Sequence, residues 1–221
     1  MSGATPYRVG TCHAGVEAWE GLRDWATATA GLALTADQID RLARYLDVLL
    51  LWNRRISLVS QRAPAEIIAK HVADSLFVAS CCAEGEPVID LGSGAGFPGL
   101  PIAVARPGAR VCVVESRGKK ASFLEEARRV ASIPNALICH RRIESMALDS
   151  AHRGRYTVAT ARALTNPVAF FRLARPFLAA GGWAIAMCSI GQAGAPELPD
   201  AEEIRYLLPD RIPRRLLIVR T

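Results

Sequence analysis

The fold turns on Val88-Ile89-Asp90-Leu91-Gly92-Ser93-Gly94-Ala95-Gly96-Phe97-Pro98-Gly99, a short apolar run that passes into four glycines within eight residues. Glycine has no Cβ, so such a segment turns sharply, adopts left-handed backbone angles and lets a ligand approach the main chain. A strand, a tight turn and the start of a helix are predicted, with the helix at 99–106. Outward from it, Val111-Cys112-Val113-Val114, Ala136-Leu137-Ile138-Cys139 and Tyr156-Thr157-Val158-Ala159 repeat the apolar signature, as do Trp183-Ala184-Ile185-Ala186-Met187 and Leu216-Leu217-Ile218-Val219. Helical segments at 117–132 and 167–179 fall between them. The stretch Phe177 to Ile190, broken by Gly181-Gly182, reads as helix end, turn and strand. Runs that are continuously apolar mark strands buried on both faces, and their alternation with helices marks a mostly parallel, doubly wound α/β sheet of Rossmann-like form.

Upstream of Pro87 the texture is helical. Residues 1–15 lack periodicity and read as a loose terminus. Val16 to Ala30 places Val16, Trp19, Leu22, Trp25 and Ala26 near one face. Thr35 with Gln38 forms a capping box ahead of Ile39, Leu42, Leu46, Leu49 and Leu50. Pro64 suits the first turn of a third helix, with Ile67, Ile68, Val72, Leu76 and Ala79 on its apolar face. The expected organisation is an N-terminal helical cap over 1–85 and a Rossmann-like domain over 86–221, packed as one compact unit.

The chain has 221 residues, 51% of them hydrophobic and 22% charged, which suffices for a large core and excludes wholesale disorder. Its formal net charge of +6 is uneven: residues 101–175 carry 14 basic and 5 acidic side chains, whereas residues 1–100 carry 8 and 11. A basic excess concentrated in the middle third suits a polyanion. The six cysteines (Cys12, Cys81, Cys82, Cys112, Cys139 and Cys188) show no metal-ligand spacing and read as free thiols, so no metal is expected. The absence of a charged-then-apolar leader, and of any apolar run of about 18 residues, predicts a cytoplasmic protein with no membrane association.

The glycine segment admits two ligand readings. As Gly94-x-Gly96-x-x-Gly99 it satisfies a dinucleotide fingerprint. As Asp90-x-Gly92-x-Gly94-x-Gly96 it matches the first motif of methyltransferases that use S-adenosylmethionine. Asp90 at the strand end would repel a pyrophosphate but suits an ammonium and a sulfonium. The second frame starts at the strand end, whereas the first starts two residues later and includes Pro98. Glu115 closes the second strand, 19 residues beyond Gly96, where a carboxylate can accept hydrogen bonds from a ribose diol in either kind of enzyme. The balance favours S-adenosylmethionine.

Trp52-Asn53-Arg54-Arg55-Ile56-Ser57-Leu58-Val59-Ser60, His71-Val72-Ala73-Asp74-Ser75-Leu76, Asp90 to Pro101, Glu115-Ser116-Arg117-Gly118-Lys119-Lys120, Arg142-Ile143-Glu144 and Thr160-Ala161-Arg162-Ala163 occur in that order. Together they resemble the small-subunit ribosomal RNA methyltransferase G family, also called glucose-inhibited division protein B. The resemblance implies a class I methyltransferase fold and methyl transfer from S-adenosylmethionine to N7 of one guanosine in 16S ribosomal RNA. It implies that Gly92 and Phe97 border the cofactor and that Ile143 and Glu144 lie beside its adenine. Arg162 would contact cofactor or substrate and position them for catalysis. Asp90, Gly94, Gly96 and Glu115 join this set on the chemical grounds above. Family members carry Lys-Gly after the strand that follows the Gly-Gly turn; here Cys188-Ser189 stand there.

Arg117, Lys119, Lys120, Arg142 and His71 are the candidate contacts to the RNA or small ribosomal subunit, with the chain expected to act as a monomer. His71 and Asp74, at i and i+3, read equally as a polar pair joining cap to sheet. Trp52 and Asn53 could stack on and bond to a base, but read first as a core aromatic and a helix-ending side chain. Guanine N7 carries a lone pair and no proton, so its methylation needs no general base, and none is evident in the sequence. Three other functions fit the fold: a small-molecule methyltransferase, an NAD-dependent oxidoreductase, and an RNA-binding protein that retains the pocket without catalysis.

Overall fold

The computed structural model describes residues 14–191 and 200–221. The expected loose terminus, with Cys12, lies almost wholly outside the described residues. Strands β1 (Pro87–Leu91), β2 (Arg110–Val114), β3 (Ala136–Cys139), β4 (Tyr156–Arg162), β5 (Leu178–Ser189), β6 (Glu202–Leu207) and β7 (Pro213–Arg220) form one sheet. Their spatial order is β3-β2-β1-β4-β5-β7-β6. The first five run parallel, and β7 is antiparallel to both β5 and β6. The order reverses between β1 and β4, and in open α/β sheets a ligand crevice lies at the carboxyl end of such a switch point.

Eight α-helices accompany these strands among the described residues: α1 (Val16–Ala30), α2 (Ala36–Asn53), α3 (Pro64–Ile67), α4 (Ala73–Ser80), α5 (Gly99–Ala105), α6 (Gly118–Val130), α7 (Ile143–Met146) and α8 (Pro167–Ala174). One core runs without interruption from Leu22, Leu42, Leu46 and Leu76 of the N-terminal helices to Val88, Val113, Val158, Ile185 and Leu216 of the sheet. Each fully buried leucine contributes about 1.5–3 kcal/mol, so the face shared by helices and sheet is a principal source of stability. The opposite face buries Ile89, Leu91, Val114, Ala159 and Ala161 against Phe170 and Phe177.

The Thr35–Gln38 capping box forms, with Gln38 N donating to Thr35 Oγ1 at 3.2 Å and Thr35 N to Gln38 Oε1 at 2.9 Å. Gln38 Nε2 also donates to the carbonyls of Val104 and Ala105, fastening the start of α2 to the end of α5. Four sequence expectations need correction. The helix opened by Pro64 is not one regular element, because a π-helical turn at Ile68–Val72 separates α3 from α4. The helix expected over 167–179 ends at Ala174 and continues as a 3₁₀ turn at Arg175–Phe177. Gly181-Gly182 makes no turn: β5 runs through it, with Gly181 at φ 73° and the β4–β5 register shifting between Tyr156 and Val158. Strand β6 is additional to the expected set, since its mixed sequence Glu202-Glu203-Ile204-Arg205-Tyr206-Leu207 lacks an apolar run.

Candidate functional site

The glycine segment leaves β1 at the carboxyl edge of the sheet. Gly92, Gly94 and Gly96 take φ of 71°, 60° and 93°, angles that side chains other than glycine rarely adopt. Space is also short at two of them, where the end of a leucine side chain would have to move. A Cβ on Gly92 would lie 2.5 Å from Leu164 Cδ1, and one on Gly96 would lie 2.8 Å from Leu100 Cδ1. Gly94 is different: the nearest atoms to its Cβ position are Lys120 Nζ at 3.8 Å and Gly92 O at 3.9 Å, so its outer side is open. The backbone there is a half-exposed concavity between the ends of β1 and β2.

Glu115 holds that concavity in shape. Its Oε2 accepts from Gly94 N at 3.0 Å and its Oε1 from Arg117 N at 2.8 Å, and the residue is 6% exposed. Each oxygen keeps a second lone pair for a ligand hydroxyl. Asp90 sits beneath the turn with no exposed surface, its Oδ2 accepting from Gly99 N at 3.0 Å. Its other oxygen, Oδ1, is buried without a partner. Burial pushes the Asp90 carboxyl up to about 7; the Ser93 hydroxyl and the Gly99 N–H work against the shift, and nearby Glu115 adds a little to it.

Phe97 is buried between Tyr45, edge-on at 5.5 Å, and His71, whose ring stacks on it at 5.2 Å. The Arg162 guanidinium, at the end of β4, stands 5.9 Å from the centre of the same ring. His71 Nε2 bonds Gln61 Oε1 at 2.7 Å while Nδ1 is buried and unpartnered. Burial, then Arg162, Arg214 and Lys70, hold the His71 pKa down to about 3, so the ring is neutral at physiological pH.

Asp74 gathers the remaining charges. Fully buried on α4, it lies 3.5 Å from Arg162 Nε, accepts from Arg214 Nη2 at 3.0 Å, and receives the Tyr206 hydroxyl. Asp74 thus joins α4 to β4, β6 and β7, and does so without His71, whose ring bonds Gln61 instead. One carboxylate serves two guanidinium groups, which leaves an excess positive charge and a buried, unpartnered Arg162 Nη1. Cys188 is buried, and Cys188-Ser189 pair in register with Arg215 and Arg214, so the strand beside this position supplies the cations that it lacks.

The structure therefore brings together Gly92, Gly94, Gly96, Phe97, Asp90, Glu115, Arg162 and His71 where β1, β2 and β4 end. Lys120 overlies the turn. Arg117, at the N-cap of α6, and Lys119, on its first turn, are exposed. Arg142 is the N-cap of α7, with Ile143 and Glu144 on its first turn; Arg142 and Glu144 are exposed. Trp52 Nε1 donates to Glu126 Oε2 at 3.0 Å, and Asn53 Oδ1 accepts from Leu58 N and Val59 N, so both serve local structure. Sequence reasoning missed Tyr45, Leu164, Tyr206 and Arg214. Tyr45 is legible only as an aromatic on the apolar side of α2, and Arg214 stands 140 residues from its carboxylate.

Among known families, the one described as GidB, rRNA small subunit methyltransferase G, matches residues 38–203. The ribosomal RNA small subunit methyltransferase G of Stenotrophomonas maltophilia is 39% identical over 192 residues, covering 85% of this chain and 88% of that protein. Its counterpart of the same name in Chloroflexus aggregans is 34% identical over 207 residues, covering 87% and 86%. The crystal structure of a SAM dependent methyltransferase from Aquifex aeolicus superposes with a TM-score of 0.52 over 70% of this chain and 93% of that one, at 12% identity. That last likeness is one of fold.

Proposed function

We propose, for a chain that belongs to the rRNA small subunit methyltransferase G family, that the glycine turn holds S-adenosylmethionine and that the acceptor is N7 of a guanosine in small-subunit ribosomal RNA. The observation that carries the cofactor reading is the open backbone at Gly94, buttressed by Glu115 and the middle one of three left-handed glycines. The donor set fits the group: a carboxylate with spare lone pairs for a ribose diol, and a buried Asp90 oxygen lacking a partner. In this reading Gly92, Gly94 and Gly96 line the cofactor, Phe97 walls it, Ile143 and Glu144 flank its adenine, and Asp90 acts from below the turn.

The cofactor supplies an electrophilic methyl on a cationic sulfur. The rest falls to side chains. No group need remove a proton, because N7 presents a lone pair, so the work is alignment of nitrogen, methyl and sulfur. Good positioning contributes several kcal/mol, up to about 7–11 in the best intramolecular cases. Charge passes to the purine, and a donor on N7 itself would consume the attacking pair. Arg162, the catalytic positioning group here, therefore serves by grasping guanine O6 or a phosphate, and neutral His71 borders the base without competing for N7. Arg117, Lys119, Lys120 and Arg142 on the exposed rim contact RNA phosphates.

Residues 1–85 act as a cap on the catalytic half, 86–221, and the continuous core between them supports treating the two as one compact unit. The reading has the chain work as a monomer in the cytoplasm, and no helix among the described residues is long and apolar enough to cross a membrane. Nucleoside mass spectrometry of ribosomal RNA from cells with and without the gene tests the whole: 7-methylguanosine in the small-subunit RNA should fall when the gene is removed, and an unchanged level overturns the reading.

A further inference from the structure

The basic surplus of residues 101–175 divides in space. Arg117, Lys119, Lys120, Arg142 and Arg162 gather at the carboxyl edge of the sheet, around the site already described. A second group lies at the amino edge. Pro87, Arg110, Ala136 and Tyr156, the first residues of four parallel strands, line a cleft of about 810 Å³ whose wall carries Arg110, Arg128 and Arg155. Directly beside it, a second cleft is lined by Arg153, Arg172 and Arg175. The two are joined by a rigid bridge, since Gly154 N donates to Pro176 O and Arg155 N to Phe177 O, each at 3.0 Å.

Three observations set this strip apart from an ordinary solvated surface. First, Arg110, Arg155, Arg172 and Arg175 form no ion pair among the described residues; within the strip only Arg128 is paired, to Glu125 at 3.0 Å. Second, the connection from β3 to β4 holds only the single-turn helix α7, so the sheet face along β3 is left bare and Leu137 is 60% exposed in the first cleft. Third, two adjoining concave surfaces with guanidinium groups along them suit an extended polyanion better than a compact ligand. A backbone of phosphates requires such a file of cations, and the guanidinium fork matches phosphate geometry.

We infer that this arginine-lined amino edge is a second binding surface for small-subunit ribosomal RNA, gripping the phosphate backbone of a stretch remote from the modified base. The inference rests on the function proposed above. It explains why six of the fourteen basic side chains of residues 101–175 lie at the end of the sheet that faces away from the cofactor turn. A surface there raises affinity for a large folded RNA and leaves the alignment of the methyl untouched.

The test uses the full chain and deproteinised small-subunit ribosomal RNA, with binding followed over a series of potassium chloride concentrations. Removing one cation from a phosphate lowers the slope of log affinity against log salt by roughly 0.7–0.9, so Arg110→Ala, Arg155→Ala and Arg175→Ala combined should flatten it by about 2–3. KM for the RNA should rise while kcat and the affinity for S-adenosylmethionine stay at the parent values. The corresponding triple lysine variant should keep the slope. A benzophenone side chain at Leu137 should cross-link to the RNA, and one at Val16, 71% exposed on α1, should not. A parent chain that methylates the RNA, with a triple alanine variant of unchanged slope and KM, overturns the second surface alone. A parent chain that leaves the RNA unmethylated overturns the proposed function first.

Discussion

Gly92 shows how tightly a single position is specified. A valine there would meet Leu164 Cδ1 with its Cβ and would sit at a φ of 71°, so steric and backbone costs act together. Gly92→Val should abolish binding of S-adenosylmethionine in calorimetry while RNA affinity stays near that of the parent. Asp90 allows a subtler check. Its folded pKa, about 7, lies above the ordinary 3.8, so its contribution to stability is full below pH 3.8 and is lost as pH rises through 7. His71, held down to about 3 from 6.5, has the opposite sign: its contribution is present above pH 6.5 and is lost as pH falls toward 3. Asp90→Asn keeps an acceptor for the Gly99 amide and removes the buried charge. Its urea midpoint relative to the parent should therefore improve between pH 5 and pH 8, at a rate of at most about 1.4 kcal/mol per pH unit. A pH-independent difference would show that Asp90 does not titrate in this range. The residues legible in advance are those whose chemistry is local: glycines that the turn demands and a carboxylate at a strand end. What Asp90 and Glu115 bond to is not legible, because their backbone partners are fixed by how the turn folds under β2.

At the level of elements, Asp74 decides how α4 meets the last strands. Removing it would leave Arg162 and Arg214 buried without a counter-charge, a loss of about 3–5 kcal/mol where a buried pair is broken. Asp74→Ala should accordingly lower the urea midpoint sharply, and Asp74→Asn less so, since it retains an acceptor for Tyr206. Sequence patterns reveal β1 to β5 and β7 because each contains an apolar run. They conceal β6, in which only Ile204 and Tyr206 face the core among charged neighbours, and α7, a single turn too short for periodicity. Gly181-Gly182 misleads for a physical reason: a bulge and a turn both call on glycine, and only the register with β4 distinguishes them.

For the whole molecule, the doubly wound sheet and the helices packed on it follow from the alternation of apolar runs, whereas the antiparallel edge does not, because the tail carries little of that rhythm. The charge map is also a property of this scale. Lys119→Ala with Lys120→Ala should weaken RNA binding and flatten its salt dependence by roughly 0.7–0.9 per phosphate released. Lys120 also overlies Gly94, so this double variant should lower the affinity for S-adenosylmethionine as well. Equilibrium binding of both ligands to one preparation measures the two effects, and an unchanged salt slope would remove the lysines from the RNA-binding surface.

The three-way grip on Asp74 has a consequence for the making of the protein. Asp74 precedes Tyr206 by 132 residues and Arg214 by 140, so during synthesis its carboxylate waits without these partners until the stretch holding β6 and β7 has been made. Copies cut short before that stretch retain the glycine bend yet lack the clamp that steadies the wall opposite it.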